Sequence, residues 1–142
     1  MSAAAGTRIG APPFAAPLLA VEEMEVAEAS GGLLITARKT VRPHDAYMPG
    51  HFPELTIFPG VFLIECLVQA VTLALTERGL SGARLGELRS LRIVAPLLGG
   101  DVLTLRANIE NLAARPLVVQ ARCVRGDDCE VATMKSFFSL PG

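Results

Sequence analysis

Gly60-Val-Phe-Leu-Ile-Glu65-Cys-Leu-Val-Gln69-Ala-Val-Thr72-Leu-Ala-Leu-Thr76-Glu-Arg-Gly79 decides how this chain folds. Val, Phe, Leu, Ile, Ala and Cys dominate the stretch, so it reads as a helix buried on nearly every side, opening at Gly60 behind Pro59 and ending near Gly79. The polar exceptions are ordered. At about 100° per residue, Glu65, Gln69, Thr72 and Thr76 fall within roughly 60° of one another around the axis and form one narrow stripe. Glu65 heads that stripe. A carboxyl there serves either as a core hydrogen-bonding group or as a reactive one.

Before the helix, Met48-Pro-Gly-His51-Phe-Pro-Glu-Leu-Thr-Ile-Phe-Pro-Gly60 is a Pro/Gly-rich loop that carries His51 toward the helix start. An imidazole and a carboxyl in one neighbourhood are a base and an acid, the equipment of proton transfer. Further out, Leu18 to Ala29 and Leu33 to Val41 read as two strands joined at Ser30-Gly31-Gly32. Beyond the helix, Ser81-Gly82-Ala83-Arg84 reads as a polar connection and Leu88 to Val94 as a strand, closed by Pro96 and Gly99-Gly100-Asp101. The next segment alternates, with Leu103, Leu105, Ala107 and Ile109 on one face and Thr104, Arg106, Asn108 and Glu110 on the other. Turns at Ala114-Arg115-Pro116 and Gly126-Asp127-Asp128 separate two more strands, Leu117 to Val124 and Glu130 to Leu140. The predicted order is β-β-helix-β-β-β-β.

A single long apolar helix among antiparallel strands is hidden only if a curved sheet wraps it, because a flat sheet leaves part of such a helix in water. The expected class is therefore α+β, a hot-dog fold, with residues 1–16 as a flexible arm rich in Ala, Gly and Pro and 17–142 as one domain. Among 142 residues, 51% are apolar, an excess that reads as a partner surface. A net charge of −1 gives no support for nucleic-acid binding. No apolar run reaches membrane-spanning length without a charge, and the start lacks the order of a signal peptide, so a cytoplasmic protein with no membrane partner is expected. Three cysteines, Cys66, Cys123 and Cys129, are an odd number without metal-type pairing and read as reduced thiols. His44 beside Asp45 reads as a turn or cap, and Arg78, Arg84, Arg89 and Arg92 as scattered surface charge with the capacity to meet an acidic partner.

Gly50-His51-Phe52-Pro53, Ile57-Phe58-Pro59-Gly60-Val61, then Glu65 and Gln69, with Glu65 fourteen positions after His51, resemble the β-hydroxyacyl-acyl-carrier-protein dehydratases of the FabZ and FabA type. Arg92 to Pro96 followed by Gly99-Gly100-Asp101 is a weaker echo of that family's Pro-Gly-Asp turn. The resemblance implies removal of water from a 3-hydroxyacyl thioester, carried on the phosphopantetheine arm of an acyl carrier protein, to give the trans-2-enoyl thioester. It assigns His51 as the base and Glu65 as the acid. It gives the Gly60 N–H at the helix start to the thioester oxygen, Gln69 to orienting Glu65, and Phe52, Phe58 and Val61 to the substrate site. It further implies no metal or redox cofactor and a homodimer, or higher oligomer of dimers, whose sites take His51 from one protomer and Glu65 from its partner; a heterodimer is the variant arrangement. Two departures stand out: Glu54-Leu55-Thr56, where relatives commonly carry Gly-Lys-Pro, and no aromatic gating residue between Leu85 and Arg92. They fit a specialised polyketide or polyene pathway as well as fatty-acid synthesis. Two other functions share the fold class, a thioesterase using the helix carboxylate and a partner subunit supporting a different active chain.

Overall fold

The computed structural model describes residues 7–9, 20–41, 60–126 and 128–141. It contains β1 (Thr7–Ile9), β2 (Glu23–Ala29), β3 (Gly32–Thr40), α1 (Gly60–Glu77), β4 (Arg84–Ile93), β5 (Val102–Ile109), β6 (Leu117–Arg125) and β7 (Glu130–Ser139). All strand pairs are antiparallel, in the order β1-β2-β3-β5-β6-β7-β4. The chain thus passes from β3 through the helix to the far edge of the sheet at β4, then returns to the middle at β5. The helix contacts β3 and β5 on one side and β4 on the other, which places it inside the curve of the sheet. The hot-dog architecture read from the helix is the observed one.

Alternation builds the inner surface of the sheet. Leu33, Ile35 and Ala37 of β3, Leu103, Leu105, Ala107 and Ile109 of β5, and Leu117, Val119, Ala121 and Cys123 of β6 are buried. On the helix, Leu63, Cys66, Leu67, Ala70, Val71, Ala74 and Leu75 recur at three- and four-residue spacing and pack against that surface in one cluster. The opposite side of the helix is less enclosed than the sequence reading expects: Ile64, Val68, Thr72 and Leu73 are only half-buried. Gly79 ends the helix in a left-handed conformation, with Leu80 N–H donating to the Leu75 carbonyl and Gly79 N–H to that of Thr76, a Schellman arrangement.

The hairpin between β2 and β3 turns on Ser30 and Gly31, both at positive φ, as the tight turn between right-twisted strands requires. At Gly32 a side chain is excluded for another reason, since a Cβ there would collide with the backbone carbonyl of Ile109 on β5.

Three boundaries differ from the sequence reading. Thr7–Ile9, inside the expected arm, is a strand that pairs with β2. The first long strand begins at Glu23 rather than Leu18, and the buried pair Ala20 and Val21 precedes it without being in the strand. β4 begins at Arg84, four residues before the expected Leu88, because an edge strand tolerates the polar residues that read as a loop. Register shifts between Leu85 and Glu87 and between Leu88 and Ser90 change its phase. Leu85, Leu88 and Leu91, three apart, therefore pair with Phe138, Ser136 and Met134, two apart, and all three leucines reach the core.

Candidate active site

The helix start and its polar stripe form the site's scaffold. An α-helix leaves its first-turn N–H groups without intrahelical partners, so the backbone at Gly60 and Val61 offers donors and the positive end of the helix dipole. Glu65 lies five residues further on, about 7.5 Å along the axis. Its Oε2 accepts a hydrogen bond of 2.9 Å from Gln69 Nε2 on the next turn. Gln69 is 1% exposed. Its Oε1 in turn accepts the Ala20 N–H at 2.9 Å. The carboxyl is half-buried, and Gln69 ties it to the segment that leads into β2.

That segment is held at a second point. Glu22 N–H donates to the Arg38 carbonyl, and Glu22 Oε1 accepts the Thr40 N–H at 2.7 Å, while Oε2 stands 3.9 Å from Lys39 Nζ. Lys39 is 4% exposed and occupies an inward position of β3. The sequence reading missed this lysine, although the signal was present: it continues the alternation Leu33, Ile35, Ala37 at a phase reserved for apolar residues. Two residues after Lys39, Val41 is pinned by reciprocal backbone bonds, donating to the Asp101 carbonyl and accepting from Gly100 N–H. Asp101 completes this turn, its Oδ2 accepting Leu98 N–H at 2.8 Å, with Gly100 at positive φ. The Gly99-Gly100-Asp101 turn thus fixes the point from which the chain leaves toward His51.

Of the residues singled out from the sequence, Glu65 and Gln69 are brought into direct contact, and Gly60 and Val61 lie at the start of the same helix. His51, Phe52, Phe58, His44 and the Glu54-Leu55-Thr56 departure lie outside the described residues. Cys66, beside Glu65, is buried against the sheet, and burial first, with Cys123 nearby second, pushes its thiol far above the usual range, so it is held neutral. Among the arginines, Arg78 Nε lies 3.3 Å from Glu28, and Arg89 bonds Glu87 at 2.8 Å and stacks over the Phe137 ring. Phe137 brings an aromatic from β7 alongside the β4 segment that has none of its own. Among the described residues no helix is long and apolar enough to cross a membrane.

Among the described residues, a seven-stranded antiparallel sheet curved around one helix, with a carboxyl presented one turn and a half from the helix start, defines a hot-dog protein. The FabA-like domain matches residues 13–134, and the chain belongs to that family. It is 33% identical over 123 residues to the 3-hydroxyacyl-[acyl-carrier-protein] dehydratase FabZ of Ruminiclostridium cellulolyticum, covering 84% of each chain. Two solved structures share the fold at lower identity. The dehydratase heterocomplex ApeI:P from Xenorhabdus doucetiae has a TM-score of 0.65 at 18% identity, covering 80% of this chain and 93% of that one. A hypothetical thioesterase with coenzyme A from Streptococcus pneumoniae has a TM-score of 0.65 at 16% identity, covering 87% and 89%.

Proposed function

We propose that this protein is a hydro-lyase that converts 3-hydroxyacyl thioesters, presented on the phosphopantetheine arm of an acyl carrier protein, into trans-2-enoyl thioesters. The observation that carries the reading is the Glu65 carboxyl, held by a buried glutamine on the helix that opens at Gly60, fourteen residues after His51. In this reading the neutral His51 imidazole takes the proton from the carbon next to the thioester carbonyl. Negative charge then builds on the thioester oxygen, where the Gly60 N–H and the helix dipole stabilise it. The former C–H electron pair becomes the new double bond, the bond from the third carbon to its hydroxyl breaks toward oxygen, and the Glu65 proton completes a water molecule. Returning the proton from His51 to Glu65 resets the site. The elimination changes no net oxidation state, so it needs no redox cofactor, and Phe52, Phe58 and Val61 are assigned to the acyl chain.

The assembly proposed is a homodimer in which His51 of one protomer meets Glu65 of its partner. Two features support it: among the described residues β4 is an edge strand with one neighbour, and the apolar residues Ile64, Val68 and Leu73 stay half-buried in the single chain. The names of the curated relatives support the acyl-carrier substrate.

Mass spectrometry of the purified protein with 3-hydroxyacyl thioesters on an acyl carrier protein, run beside His51→Ala, tests this directly. The expected result is loss of one water from the acyl group, abolished in the variant. Release of free acid would replace the reading with a thioesterase. No reaction by the protein alone, restored by a second chain, would make it a subunit of a heterodimer.

A further inference from the structure

The contact between Ala20 and Gln69 has a chemical consequence for the acid. A backbone N–H is only ever a donor, so the end of the Gln69 amide that meets Ala20 N–H at 2.9 Å must be the oxygen. That leaves the NH₂ end facing Glu65 Oε2 at 2.9 Å. Because Gln69 is 1% exposed, turning the amide over would set its NH₂ against the Ala20 N–H and its oxygen against a carboxylate, with two buried groups left unsatisfied. Glu65 Oε2 is therefore committed as an acceptor. A proton on Oε2 would oppose the amide hydrogens, so a protonated Glu65 carries it on Oε1.

We infer that the Ala20–Glu22 strap is a positioning element for the acid: through Gln69, the Ala20 N–H dictates which oxygen of Glu65 bears the proton delivered to the departing hydroxyl. The inference rests on the dehydratase reading and adds a residue to it that touches no substrate. The strap is fastened independently of the helix. Glu22 bonds the backbone at both Arg38 and Thr40 and stands beside Lys39, so Ala20 is held from the β3 side when it reaches Gln69. The clamp ends at Thr40, and the next residue, Val41, is held separately by the Gly100–Asp101 turn.

The test is a double-mutant cycle on the full-length protein, with turnover of a 3-hydroxyacyl thioester on an acyl carrier protein as readout and circular dichroism as the check on folding. Ala20→Pro deletes the donor while fixing φ at that position and restricting the residue before it, and Gln69→Leu deletes the relay. Each is expected to lower kcat roughly tenfold to hundredfold with KM within about twofold, the scale of a misplaced reacting group. The pair is expected to be no worse than Gln69→Leu alone, because both changes act through one contact. Ala20→Gly, which keeps the N–H, recovers most of the loss. Multiplying losses, or an unchanged kcat in folded Ala20→Pro, would overturn the inference. If Ala20→Pro does not fold, Gln69→Met decides: it keeps the length of the side chain but neither accepts from Ala20 nor donates to Glu65, so kcat must fall, and wild-type turnover would refute the relay. A wild-type protein that makes no enoyl product at all is a different failure, that of the dehydratase reading itself.

Discussion

Lys39 Nζ and Glu22 Oε2 stand 3.9 Å apart where β3 ends, the lysine 4% exposed and inward-facing among core residues. The two partners are not equivalent. Glu22 also caps the Thr40 N–H, so Glu22→Ala removes a charge partner and an acceptor together, at an expected cost of about 2–3 kcal/mol. Lys39→Met also leaves Glu22 without its cation, but the carboxylate keeps the Thr40 N–H and a partly solvated face, so the expected cost is smaller, about 1 kcal/mol. Urea unfolding of both variants measures the asymmetry, and equal losses would mean that the ion pair itself dominates.

Glu65→Gln separates chemistry from packing. The new amide can still accept from Gln69 Nε2 through its oxygen, so the contact to the helix stripe survives and the melting temperature should move little. Turnover should fall by roughly 10²- to 10⁴-fold, the scale for loss of a general acid. A variant that unfolds, or one that keeps its rate, would assign Glu65 to the core instead.

Gly32→Ala is expected to be among the costliest small substitutions in the chain. Its Cβ would meet the Ile109 carbonyl oxygen at the end of β5 and the Glu110 backbone just after it, which cannot yield as a side chain end can. An overpacked backbone contact costs about 1–3 kcal/mol, visible as a lower urea midpoint. Gly31→Ala, where space is open but φ is +84°, should cost only about 1 kcal/mol.

The sequence makes legible whatever periodicity encodes. The α1 stripe foretold the Glu65–Gln69 contact because residues four apart must meet on a helix. The alternation of β5 likewise foretold which faces are buried. The strap was illegible for the opposite reason: Ala20 contributes a backbone N–H, which every residue but proline has, across 49 positions of sequence. β4 misled because two register shifts convert a three-residue leucine repeat into a two-residue face, a pattern that belongs to neither simple period. Lys39 could have been found, as a charge in phase with an apolar series.

The buried thiols make stability depend on pH in a direction that can be worked out. Burial pushes Cys123 up to about 12 from an ordinary 9.0, and Cys66 is raised as well, by burial first and by neighbouring Cys123 next. In the unfolded chain both thiols ionise above pH 9, whereas in the fold they keep their protons, so the unfolded state binds fewer protons there. Their contribution is therefore fully present below about pH 9 and is lost as pH rises toward the folded values, at up to about 1.4 kcal/mol per pH unit for each thiol. Urea midpoints at pH 8, 9 and 10 should decline, and Cys123→Ala should flatten the decline even though other groups titrate in the same window. Alkylation of the native protein at pH 8 gives an independent check, since Cys129 is partly exposed while Cys66 and Cys123 are buried. Cys129 should react first, and equal labelling of all three thiols would contradict the burial of Cys66 and Cys123 in the core cluster.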